Sequence, residues 1–179
     1  MKTLSIRSYG IFCAARRSWQ PLPMSKRNFS PLPSSTSQHA AACFGRTLGM
    51  PVRITEQYPK GLGATVPEIA ALLEGDEPAQ KMRFSCRGCT DLDRPQWIVC
   101  GIESHVCVYQ TVRDLLADGK QVAVAVDAVS SCDVSDRETA LAYMRDLGAQ
   151  LMSTQMLMFE VLRDAGTPEF KSVAGILKE

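Results

Sequence analysis

No acidic residue occurs before Glu56 in this chain of 179 residues, although the same stretch holds eight Lys or Arg. Residues 56–179 carry the other twelve basic residues and all nineteen acidic ones, so an overall net charge of +1 hides a body of net −7. An acidic body excludes nucleic acid as the main partner, because binding phosphates needs concentrated Lys and Arg. No run approaches the ~18–20 continuous apolar residues of a membrane span, and the longest, such as 122–126, are strand-sized. Histidine is scarce, with only His39 and His105, which leaves a four-ligand zinc site poorly supplied. Neither GxGxxG nor a P-loop lysine pattern is present, which counts against a nucleotide cofactor. Cysteine is not scarce, but its seven copies are odd in number and irregularly spaced, which argues for free thiols in a reducing compartment and not for a disulfide scaffold.

The chain divides by composition. Half of residues 18–37 are Ser or Pro, and Pro21, Pro23, Pro31 and Pro33 are spaced so that no helix can run through. Residues 1–37 are therefore expected to be a disordered, basic N-terminal segment, with residues 9–15 its one strand-like piece. Its Arg- and Ser-rich, acid-poor composition also suits a mitochondrial transit peptide over residues 1–36. The expected location is otherwise cytoplasmic.

From Gln38 to Glu179 the text is regular enough for one domain. An Ala-rich helix closes at Gly49, a strand covers 52–55, and a loop rich in Gly and Pro leads to a short helix at 68–73. A strand at 97–100 precedes a helix over 104–118, whose apolar positions Val108, Tyr109, Val112, Leu115 and Leu116 have helical spacing. Residues 121–126 are apolar at nearly every position, as in a central parallel strand covered on both faces. Ser135 and Glu138 have the spacing of a capping box before a helix that ends near Leu147. A strand at 150–153 and helices from about 155 and from Pro168 complete the chain. Alternating strands and helices predict an α/β fold with a parallel sheet.

The strongest local feature is Cys100-Gly101-Ile102-Glu103-Ser104-His105-Val106-Cys107, where a buried strand gives way to a helix. Ligands in such folds bind at the carboxyl ends of the strands. Cys107 falls in the first helical turn, where the macrodipole and free N–H groups stabilise a thiolate. Position alone leaves this reading level with a buried structural cysteine. His105 reads as a surface residue at a helix start. Cys86-Arg87-Gly88-Cys89 sits in an irregular stretch without a second CxxC and reads as incidental.

These pieces taken together resemble the isochorismatase-like cysteine hydrolases, in particular the isochorismatase domain-containing group. The matching text is Ile54-Thr55-Glu56-Gln57-Tyr58-Pro59-Lys60-Gly61-Leu62-Gly63, Lys81 with Phe84-Ser85, the segment ending in Cys107, Asp127-Ala128-Val129-Ser130-Ser131, and Thr167-Pro168-Glu169-Phe170-Lys171. The resemblance implies a Rossmann-like three-layer α/β/α domain with a mainly parallel sheet, assembled as a homo-oligomer. It implies a hydrolase acting on a small amide or related metabolite, with Cys107 as nucleophile, Lys81 beside it, and neither metal nor cofactor. It further implies a cis peptide between Ile102 and Glu103, turning the N–H groups of Glu103 and Cys107 toward an oxyanion. The family's aspartate, in an Asp-x-Gln pattern ending the first strand, has no counterpart here. The first strand is accordingly expected to be missing or degraded. A catalytically inactive relative serving as a binding domain is the alternative.

Overall fold

Alternation along two strands sets the layers. In β4 (Gln96–Ile102), Trp97 and Val99 pack to one side and Ile98 and Cys100 to the other, all four buried. In β5 (Gln121–Ser130), Val122 and Val124 share the first side, while Ala123 and Ala125 share the second. Strands apolar on both faces need helices on both. The computed structural model, which describes residues 9–14, 35–73, 77–89 and 93–177, has that form.

With β1 (Tyr9–Ala14), β2 (Val52–Gln57), β3 (Ala79–Lys81) and β6 (Gln150–Met152), these strands make one sheet in the order β3-β2-β1-β4-β5-β6, and every pairing is parallel. The helices are α1 (Ser35–Thr47), α2 (Pro59–Leu62), α3 (Pro67–Ala70), α4 (Tyr109–Ala117), α5 (Val134–Asp146), α6 (Thr154–Leu162) and α7 (Phe170–Ile176). Phe44, Leu157, Met158 and Val173 from α1, α6 and α7 cover one face, and Val112, Leu115, Ala140 and Met144 from α4 and α5 cover the other. The result is a Rossmann-like α/β/α domain. No helix among the described residues is long and apolar enough to cross a membrane.

The first strand, expected to be missing or degraded, is in place. Ile11 pairs with Val52 on one side and Ile98 on the other, and Ala14 pairs with Thr55 and Gly101. Residues 9–14 carry no charge and fall within the strand-like run at 9–15, which the Ser, Pro and Arg around it assign to a tail outside the domain. β1 thus lies on the N-terminal side of residue 38, where the sequence drew the start of the domain. The Ser/Pro-rich stretch at 15–34 lies outside the described residues.

Three smaller differences have local causes. β5 runs on to Ser130 through an irregularity: Val99 pairs with Val124, but Gly101 pairs with Val129. Residues inserted in this way bend a strand and re-aim its side chains. Here Asp127 Oδ1 accepts the Thr154 N–H at 2.8 Å and its hydroxyl at 2.9 Å, fixing the start of α6. The cap of α5 is Asp133 and not Ser135, because the Asp133 carboxylate accepts both the N–H (2.9 Å) and the hydroxyl (2.8 Å) of Ser135. α7 begins at Phe170, with Glu169 as its N-cap, two residues after the proline expected to open it.

Candidate active site at the carboxyl ends of the strands

The chain winds outward from β1 through β2 to β3, then outward the other way from β4 through β5 to β6. The reversal falls between β1 and β4, and the carboxyl ends of strands at such a point form the ligand crevice of this architecture. Ala14 ends β1 there beside Gly101 of β4. Just beyond, residues Ser104–Val108 form one π-helical turn that leads into α4. Cys107 sits in it, 4% exposed.

Several bonds hold this turn. Ser104, fully buried, donates its hydroxyl to the Ser130 carbonyl at 2.8 Å. The Thr111 hydroxyl donates to the Cys107 carbonyl at 2.7 Å and accepts the Cys86 N–H at 3.0 Å, while Cys86 Sγ lies 3.2 Å from Thr55 Oγ1. Cys86, read as incidental, is therefore a junction between β2 and the turn that carries Cys107. The signal for it was Thr111, one helical turn after Cys107 and placed to bond back to its carbonyl. At Cys89, burial pushes the thiol up and Cys86 adds to that, against the pull of Lys81 and Arg83. Both cysteines are free thiols. A raised pKa is the opposite of what a redox-active CxxC needs.

The peptide between Ile102 and Glu103 is not cis: no cis bond occurs among the described residues. The reversal after β4 is made instead by Glu103 in the left-handed region, at φ 64° and ψ 56°. A non-glycine residue held there is strained, and such strain collects at functional sites. The N–H groups of Val106, Cys107 and Val108 all point at the Glu103 carbonyl, at 2.9, 3.0 and 3.3 Å.

Lys81 ends β3, a strand the sequence did not foresee, and is 7% exposed. Its ammonium donates to Gln57 Oε1 (2.7 Å), the Phe84 carbonyl (2.7 Å) and the Arg83 carbonyl (3.1 Å). These are neutral oxygens, one for each of its three protons. Glu56, the neighbouring buried acid, is engaged elsewhere, accepting the N–H and hydroxyl of Thr65 at 2.7 Å each.

Asp114 joins the loop after Lys81 to α4. Burial pushes its carboxyl up, but hydrogen bonds from Ser85 and Arg113 and the charges of Arg113 and Arg87 outweigh that and hold it below the usual carboxylate range. A depressed carboxylate adds stability that is present above its unfolded value, about 3.9, and is lost as pH falls through the lower folded value. Asp114→Asn is expected to flatten the fall in melting temperature below about pH 4. An acid limb identical to the parent's would mean that this carboxylate does not couple to folding.

The sheet order places a cysteine on the turn after β4 and a buried lysine at the end of β3, at the carboxyl ends of a Rossmann-like sheet. The comparisons are more specific. The Isochorismatase domain family matches residues 22–156. Isochorismatase domain-containing protein 2 of Pongo abelii is 46% identical over 140 residues, covering 75% of this chain and 67% of that protein. The structure described as MAR1 ribonuclease from Caenorhabditis elegans superposes with a TM-score of 0.85 at 31% identity, covering 99% of this chain and 93% of that one. The YcaC gene product of Escherichia coli, described as an octameric hydrolase of unknown specificity, shares the fold with a TM-score of 0.75 at 17% identity, over 98% of this chain and 96% of that one. This chain belongs to the isochorismatase-like hydrolase family.

Proposed function

We propose that the chain hydrolyses a small amide or related carbonyl compound, with Cys107 as nucleophile and Lys81 as the adjacent cation. The Cys107 thiolate would add to the carbonyl carbon, and collapse of the adduct would expel the amine, which takes up a proton. Water would then cleave the acyl-enzyme and regenerate the thiol. A buried ammonium near the crevice would favour the negative charge of both the thiolate and the adduct. The observation that carries this reading is Lys81 itself. A lysine buried to 7% exposure on neutral oxygens has no ion pair among the described residues to account for its place in the fold.

For the Glu103 and Cys107 N–H groups to hold an oxyanion, the Glu103 carbonyl must first turn away from the three N–H groups it now accepts. Its left-handed residue is the natural hinge for that change. The ribonuclease activity in the name of the C. elegans neighbour is not favoured here, because residues 56–179 carry a net −7. A homo-oligomer fits Tyr143, Met156 and Phe159, large apolar residues on the outer helices that are 40–54% exposed.

The test is iodoacetamide at pH 6–7 with mapping of adducts on all free cysteines. Cys107 is expected to label faster than the equally buried Cys100, and labelling no faster than that control would remove the activated thiol. A second reading, an inactive relative that only binds its ligand, is favoured by one feature: β1 ends in Ala14, followed by Ala15-Arg16, where the resemblance places Asp-x-Gln. Amide turnover that disappears in Cys107→Ala would exclude it.

A further inference from the structure

We propose that His105, Cys132 and Asp136 bind a transition-metal ion of zinc-like character, with Glu103 beside the fourth position. One donor atom from each of the first three lies within 4.8 Å of the others. They come from three places: the turn after β4, the end of β5, and the first turn of α5. Cys132 and Asp136 are one helical turn apart in sequence, so the start of α5 brings them together. His105 arrives from the Cys107 turn, and no sequence motif joins it to them.

The separations decide between a hydrogen-bonded cluster and an ion site. His105 Nε2 lies 3.8 Å from Asp136 Oδ2 and 3.8 Å from Glu103 Oε2, and Cys132 Sγ lies 3.9 Å from Asp136 Oδ2. For nitrogen and oxygen, 3.8 Å is too long for a hydrogen bond. Zinc bond lengths of 2.0–2.3 Å in a tetrahedron give ligand-to-ligand edges of about 3.3–3.5 Å. Two of the three edges, His105–Asp136 and Cys132–Asp136, therefore close onto an ion by movements of about half an ångström, and the third is within 4.8 Å.

Its orientation is also prepared. His105 Nδ1 is 3.0 Å from Ser131 Oγ, and an Nδ1–H donated there leaves the lone pair on Nε2, facing the two carboxylates. A histidine ligand is commonly fixed through its other nitrogen in this way. The donor set of one sulfur, one nitrogen and carboxylate oxygen suits zinc, cobalt(II) or nickel, whereas magnesium and calcium prefer oxygen alone. His105 and Glu103 are part-buried, at 26% and 14% side-chain exposure, and Asp136 is 47% exposed, so an ion could enter from solvent. Binding would release the Cys132 thiol proton and would tie the turn carrying Cys107 to the start of α5.

The experiment titrates cobalt(II), then zinc, into the full chain after treatment with a chelator. One equivalent of cobalt(II) is expected to bind, with a near-ultraviolet thiolate-to-metal band that zinc abolishes. Cys132→Ser should remove the band, His105→Gln should weaken binding at least about 100-fold, and Ser131→Ala should weaken it about 10- to 100-fold. Cys43→Ser/Cys89→Ser should leave it unchanged. Absence of binding, binding indifferent to His105→Gln, or loss of the band in the Cys43/Cys89 variant would each overturn the proposal. Circular dichroism of every variant separates loss of a ligand from loss of fold.

Discussion

Replacing Ala14 with aspartate is expected to raise hydrolysis of small amides by roughly 10²- to 10⁴-fold, the range that a positioned acid–base group contributes. Ala14 is the last residue of β1, in register with Thr55 of β2 and Gly101 of β4, at the point where the winding of the sheet reverses. The strands on its two sides lead to the two proposed reactive groups, Lys81 beyond β2 and Cys107 beyond β4. A carboxylate at that position would add an acid–base group between the strand that leads toward Lys81, now bonded to Gln57 Oε1 and two carbonyls, and the strand that leads to Cys107. The measurement is kcat/KM on a panel of amides and carbamoyl compounds for the parent, Ala14→Asp, and Ala14→Asp with Cys107→Ala. The double variant should fall to background. Equal rates in the two aspartate-bearing proteins would take the thiol out of the mechanism, and a parent as fast as Ala14→Asp would show that the chain works without that carboxylate.

Phe44→Ala is expected to cost about 3–5 kcal/mol of folding stability, a drop in melting temperature of roughly 6–20 °C for a chain of this size. Phe44 is 1% exposed on α1, and α1 touches β1, β2, β4 and β5 as well as α3, α6 and α7. The vacated ring would leave a cavity in the core that α1 shares with the sheet, which close-packed neighbours fill only in part. Met82→Ala, in the loop after β3, is the control, since at 70% exposure it should change stability by less than about 0.5 kcal/mol. A loss below about 1 kcal/mol for Phe44→Ala would mean that α1 is not docked on the sheet as described.

The central strands and their helices were legible because burial on both faces leaves a plain record: Val122, Ala123, Val124 and Ala125 can sit only between two layers. β1 was legible as a strand-like run at 9–15 but not as the first strand of the sheet, because no aspartate follows it and its neighbours read as a tail. A strand paired on both edges needs few residues, and six apolar ones are easily set aside between basic and Pro-rich neighbours. The junction at Cys86 and Thr111 and the cluster at His105 and Cys132 depend on residues more than twenty positions apart, and no periodicity records such distances. The expected cis bond failed for a local reason. A left-handed Glu103 makes the same reversal with a trans peptide.

The place of β1 in the sheet also bears on how the chain is made. Its six residues emerge from the ribosome before those of the other described strands, and their partners at Val52 and Gln96 follow only some 40 and 80 residues later. At about 5–20 residues per second, the strand that will stand at the centre spends several seconds with both edges open. The slow step of folding should then be the closing of β4 onto β1, a contact distant in sequence that no local helix can anticipate. Until it closes, the nascent chain is a template with two free edges, open to a second copy of itself or to a chaperone.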